Sequence, residues 1–274
     1  MMRQSWVRPV GLLAVGTFVV GTDAHSVAGL LPEMASSLGT SVGVAGQSVT
    51  VFAVAYAVLA PVLAVVTARR GPRTTLAAAL LVFAAGNTLT AAAGNLPVLL
   101  AGRVVAAAGA AMFTPTAGAV AVRLAGPERR GTALALVTAG VSSALVLGAP
   151  AGAAVAAAQS WRTTLLVIAG AGLLIVPGLA RTPAVPPAPV RRIADQLGTL
   201  RSPRVRTTLG VSLVAFAGVF VPYTYLSQSY APLIAAVPGG IGTVLLLFGV
   251  TSVPGALTSG PLADRVAARW LVVG

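Results

Sequence analysis

The sequence predicts an all-α fold, a polytopic membrane helical bundle of about eight spans. Three observations point there. First, 57% of the 274 residues are hydrophobic and 8% are charged, whereas a soluble domain carries about 25% charged residues. Second, apolar runs fall at 9–31, 45–67, 74–94, 98–122, 132–156, 163–180, 207–228 and 239–260, and a ninth starts at Trp270. Third, arginines alternate between connections. Sixteen of the eighteen lie on connections that share one side, Arg162 lies on the other, and Arg103 lies inside span four.

Each run is too long for a strand and lacks the alternation of a membrane barrel. A helix is the remaining way to satisfy backbone polar groups in lipid. The arginine alternation follows the positive-inside rule, so the N-terminus and the arginine-rich connections are expected on the cytoplasmic side of a cell inner membrane. The net charge of +13 is therefore a topology signal. With aromatics at 5%, it does not suggest a nucleic-acid surface. The absence of cysteine excludes disulfides and thiol chemistry. His25 alone cannot build a metal site, and no Ser/His pair or His/carboxylate cluster suggests an enzyme, so neither metal nor cofactor is expected.

Residues 181–206 hold five prolines and six arginines and read as a cytoplasmic linker. The linker divides a six-span bundle, 1–180, from a partial second bundle, 207–274. A weak repeat at an offset of 196 relates Gly46, Phe52, Val54, Ala60, Arg69 and Arg73 to Gly242, Phe248, Val250, Ala256, Arg265 and Arg269. Span seven thus restarts the pattern of span one, as in chains built from two parallel halves.

Ionisable groups inside a membrane are costly, which makes them functional candidates. Asp23 lies two-thirds along span one and Arg103 about a turn and a half inside span four. Asp23 can serve as a proton carrier with Arg103 as its electrostatic partner, and a cationic substrate would then compete with the proton. It can also serve as a buried hydrogen-bonding partner of span four, and both roles can hold at once. His25 reads as a packing or cavity-lining group rather than a proton relay. Glu33, just past Pro32, is expected to be solvated. Tyr56, Phe113, Tyr223, Tyr225 and Gln228 are candidates for a cavity lining, since aromatics and amides suit amphipathic ligands. In span five, Gly140, Gly148, Pro150 and Gly152 predict a kinked, side-chain-poor helix that lets neighbours rock against it. Gly260, Asp264, Arg265 and Arg269 form a charged cytoplasmic turn, and Arg69, Gly71 and Arg73 form its partial copy.

These motifs resemble those of the major facilitator superfamily. The turn Gly260 to Arg269 is similar to the loop signature G-x-L-x-D-R-x-G-R-R, with Ala267 for the usual Gly. In the first copy Ala64 replaces Gly and Ala68 replaces Asp, which puts that half's charge latch in doubt. Arg103 and Gly109 resemble the span-four motif, with Ala107 where Gly is usual. Gly140, Gly148, Pro150 and Gly152 resemble the span-five antiporter motif, with Ala149 breaking its Gly-Pro pair. Asp23, nine residues before Pro32, resembles the span-one motif D-x-T-x-x-N-x-A-L-P. The stretch G-T-D-A-H-S-V-A-G-L-L-P-E resembles the drug and sugar efflux branch, including arabinose-efflux and chloramphenicol-resistance-like permeases.

The resemblance implies a secondary transporter that exchanges protons for a small molecule such as a drug or sugar by alternating access. Its partners would be that substrate, protons and the lipid bilayer, and nothing in the sequence sets the oligomeric state. A facilitator or symporter on the same scaffold is the alternative. The family has twelve spans and this sequence stops at the start of a ninth, so C-terminal truncation is expected. A non-transporting remnant or an interaction subunit therefore stays open as well.

Overall fold

The computed structural model describes residues 6–68, 70–183, 185–186, 198 and 201–251, and the elements below are drawn from these. Seven helices are long and apolar enough to cross a membrane. They are α1 (Val7–Ser37), α2 (Val42–Thr67), α3 (Pro72–Ala91), α4 (Leu96–Ala125), α5 (Pro127–Ala158), α6 (Trp161–Ala180) and α7 (Pro203–Thr224). An eighth apolar helix, α8, is described over Gly240–Thr251. The ninth expected run lies outside the described residues, which contain no strand.

The helix starts follow ordinary capping chemistry. Ser41, Asn95 and Ser160 accept backbone N–H groups at the starts of α2, α4 and α6. Pro72 and Pro203 occupy the first turns of α3 and α7, where no N–H donor is needed. Helix α7 therefore begins inside the expected linker, at Pro203 instead of residue 207. Helix α1 also outruns its expected end at residue 31, passing through Pro32 to Ser37. Pro32 has no N–H for the carbonyl of Ala28. Ser227, just past α7, donates to that carbonyl at 3.2 Å.

In lipid, helices gain little from hydrophobicity and associate through close packing. Helices α3 and α4 run antiparallel with their backbones almost touching. A Cβ on Gly86 would collide with the Ala106 backbone, one on Gly102 with Thr90, and one on Gly109 with the Phe83 backbone. Helices α1 and α5 run parallel, and the expected span-five glycines each meet a polar group of α1. Gly140 lies against Thr17, Gly148 against Thr22, and Gly152 against Ser26. Thr17 donates to the Val137 carbonyl at 2.8 Å and Ser26 to the Gly148 carbonyl at 3.3 Å.

Pro150 does not end α5. A π-helical stretch, Ala144–Gly148, precedes it. Shifting to the wider i→i+5 pattern accommodates a proline that cannot donate to the Val146 carbonyl. Buried apolar residues gather in three clusters, the smallest being Ala28, Ala149, Ala153, Tyr223 and Leu245; the other two are larger. One centres on Phe83, Phe113, Leu80 and Leu13, the other on Leu31, Met34, Leu99 and Trp161. Glu33 is not merely solvated, as its carboxylate accepts the Trp161 N–H at 3.1 Å and so caps α6. This pins the end of α1 to the start of α6.

Helix α7 meets the first six helices only near its C-terminal end. Tyr223 is its one buried residue, and the Tyr223 hydroxyl donates to the His25 carbonyl at 3.1 Å.

The packing predicts a contrast between two glycines. Gly109→Val forces a side chain into the Phe83 backbone and should lower stability by about 2 kcal/mol. Gly170→Val, where a Cβ would meet nothing within 4 Å, should show only the small intrinsic helix effect. Thermal unfolding in detergent measures both.

Candidate functional site

Asp23 and Arg103 form an ion pair at the centre of the bundle. Arg103 Nη1 donates to Asp23 Oδ1 at 2.8 Å and to Oδ2 at 3.0 Å. The side chains are 0% and 1% exposed, so each charge depends on the other. The long arm of Arg103 crosses from α4 to α1. From α2, the Phe52 ring faces the guanidinium at 4.3 Å. Arg103 Nε is buried without a hydrogen-bond partner.

The guanidinium forms part of the wall of a cavity of about 390 Å³ between α1, α2, α4, α5 and α7. That volume lies within the range of small-molecule sites. His25, Phe52, Tyr56, Phe220 and Tyr223 also line it. Of the expected lining residues, His25, Tyr56 and Tyr223 are therefore brought together. Phe113 is a correction. It is fully buried and its ring fills the notch left by Gly16, which makes it part of the α1–α4 packing. Tyr225 lies over Gly46 at the start of α2, and Gln228 is exposed on the turn Leu226–Ser229.

A second hollow, of about 670 Å³, runs between α4 and α5 and reaches Arg123. It shares Thr114 and Val141 with the first, so the two meet there. At the opposite end, Tyr223 and Ser227 bond α1 carbonyls and Tyr225 covers Gly46.

Asp23, where competition between a cationic substrate and a proton was expected, stands behind Arg103 in this arrangement. Arg103 lines the cavity, whereas Asp23 is not among its lining residues and is fully buried against Arg103.

Among the gate candidates, Gly71 sits in extended conformation before α3. Arg73 lies in the first turn of that helix with its Nε buried and unpartnered. Arg69, Gly260, Asp264, Arg265 and Arg269 lie outside the described residues. The sequence reading passed over Phe220 and Thr114 and noted Phe52 only as part of a repeat. Nothing local marks them, because their place in the wall comes from helices far apart in the chain.

The family is shown directly. A family model of the Major Facilitator Superfamily matches residues 13–274. A chloramphenicol resistance protein of Streptomyces lividans is 33% identical over 276 residues, covering 97% of this chain and 69% of that protein. An uncharacterised MFS-type transporter of Bacillus subtilis (strain 168), YbcL, is 31% identical over 278 residues, covering 100% of this chain and 70% of the relative. Among solved structures, a bacterial homologue of the human lysosomal transporter Spinster superposes with a TM-score of 0.70 at 18% identity. It covers 97% of this chain and 64% of that one.

Helices of spanning length make this a multi-pass membrane protein, and the family model places it among transporters. The chain belongs to the Major Facilitator Superfamily. It spans about two thirds of the length of the proteins it matches.

The ion pair predicts strong coupling between its two residues. Asp23→Ala or Arg103→Ala alone strands a buried charge and should cost about 3–5 kcal/mol. The double variant should lose less than the sum by at least about 1 kcal/mol. Thermal unfolding of the four proteins in detergent measures this coupling.

Proposed function

We propose that the chain is part of a proton-coupled exporter of a small molecule, working by alternating access in a cell inner membrane. The observation that carries this reading is the buried Asp23–Arg103 pair beside a cavity of ligand size. Protonation of Asp23 removes the charge that holds Arg103. The guanidinium then stands unneutralised in a low-dielectric wall, and a packing that hydrates or re-pairs it becomes favoured. Proton occupancy is thereby linked to the direction in which the cavity opens.

Helices α1 and α5 supply the sliding surface for that change. Their contact is made of glycine and hydroxyl groups, with few long side chains to disengage. The π-helical stretch before Pro150 lets α5 bend at that point. On this reading Gly140, Gly148, Pro150 and Gly152 keep the contact ion-tight. The charged turn Asp264, Arg265 and Arg269 acts as the cytoplasmic latch, together with the partial copy at Arg69, Gly71 and Arg73. The similarity to a chloramphenicol resistance protein makes chloramphenicol the first substrate to try, ahead of sugars.

Asp23→Asn should insert normally yet lose at least tenfold of efflux driven by a pH gradient, measured as substrate movement in proteoliposomes. Unaltered pH-dependent efflux by that variant would remove Asp23 from the role, and inward accumulation with protons would favour a symporter. For orientation, an alkaline phosphatase fused after Gly94 should be active in a bacterial host. Fusions after Gly71 and Gly126 should be inactive, because the arginine-rich side faces the cytoplasm.

A further inference from the structure

The central cavity offers a ligand charge of only one sign. Among the described residues lining it, Arg103 is the one with a permanent charge, and no carboxylate belongs to the wall. Asp23 is wholly engaged by Arg103 and fully buried. With Asp23 ionised, the pair adds no net charge to the wall. With Asp23 protonated, Arg103 becomes a lone cation there. His25 adds either no charge or another positive one. The wall is neutral or positive in every protonation state and negative in none.

Aromatic faces are the other means of attracting a cation. Three of the four carbon rings in the wall already pack against other groups, and Tyr56 is the fourth. Phe52 faces the Arg103 guanidinium at 4.3 Å. Phe220 stacks on Phe216 with ring centroids 5.8 Å apart and planes 8° from parallel. Tyr223 packs against Phe248 at 5.1 Å. Apolar side chains make up most of the wall, which suits an aromatic ring.

His25 supplies a polar anchor. Its Nδ1–H donates to the Gly21 carbonyl at 2.7 Å. In that tautomer Nε2, on the far edge of the ring, is a bare acceptor. It has no hydrogen-bond partner among the described residues, and the imidazole lies 6.0 Å from Phe220 and 6.3 Å from Tyr223 between ring centroids.

We propose that this cavity takes aromatic molecules that carry no positive charge, and that a hydroxyl or amide N–H of the ligand donates to His25 Nε2. The proposal rests on the cavity being the substrate site. It does not depend on the direction of proton coupling, because the charge argument holds in both states of Asp23.

A matched probe series tests it: 2-naphthylmethanol, its methyl ether and 2-naphthylmethylammonium. Binding is measured by equilibrium dialysis against nanodiscs holding the 274-residue chain, with empty nanodiscs subtracted and no pH gradient applied. The alcohol should bind at least tenfold tighter than the ammonium ion, and about tenfold tighter than the ether, which lacks the donor. His25→Phe should bring the alcohol down to the level of the ether and leave the ether unchanged. A second variant, His25→Asn, retains an acceptor and should recover part of the difference.

Ammonium binding equal to or tighter than that of the alcohol would overturn the charge argument. An equal loss of alcohol and ether in His25→Phe would reduce His25 to a packing role. Absence of specific binding by all three probes would also sink the proposal. Failure of Asp23→Asn to alter transport would leave this order of affinities intact, so the proton-coupling reading and this one fail separately.

Discussion

One ion pair sets the terms for the rest of the bundle. Arg103 and Asp23 sit where water cannot solvate them, so each must be held by the other. The cost of burying either charge alone exceeds what packing elsewhere can readily offset. This requirement joins α4 to α1, and it brings α2 into place through Phe52, whose ring faces the guanidinium. Three helices are thereby oriented around the wall of one cavity.

The same demand, that polar groups find partners inside the protein, acts on the backbone. Pro32 leaves the Ala28 carbonyl without its helical donor, and Ser227, just past α7, meets it. Tyr223 bonds the His25 carbonyl a turn earlier. The contact of α7 and the turn after it with the first six helices is thus built partly on backbone acceptors of α1. Helix α5 handles its own proline differently, with the π-helical stretch before Pro150. Where partners are not required, glycine governs. Gly86, Gly102 and Gly109 let α3 and α4 approach to backbone contact, which compensates for the absence of any hydrophobic drive between helices in lipid.

Much of this was legible from residue order. Apolar runs of spanning length, broken by arginine, glycine or proline, marked the spans to within a few residues. The ends of α1 and α7 were exceptions. Proline was read as a stop at residue 32, yet a helix continues through proline when a distant group takes the freed carbonyl. At residue 203, proline starts the helix and the basic first turn had looked like linker. Asp23 and Arg103 stood out because ionisable residues are rare in such runs. Phe113 was misplaced in the cavity, since an aromatic in a membrane helix fits a core notch as well as a binding wall. Only the position of Gly16 decides between them.

The sequence by itself determined the order of the apolar helices among the described residues, the alternation of arginine between connections, and the identity of the buried charges. All of these follow from periodicity and transfer energy along a single segment. Only the tertiary structure decided that Arg103 and not Asp23 lines the cavity, that Glu33 caps α6, and that His25 gathers aromatic rings from α7. Each of those contacts joins residues dozens to nearly two hundred positions apart. Their geometry depends on how closely glycine-bearing helices approach, which no local pattern encodes.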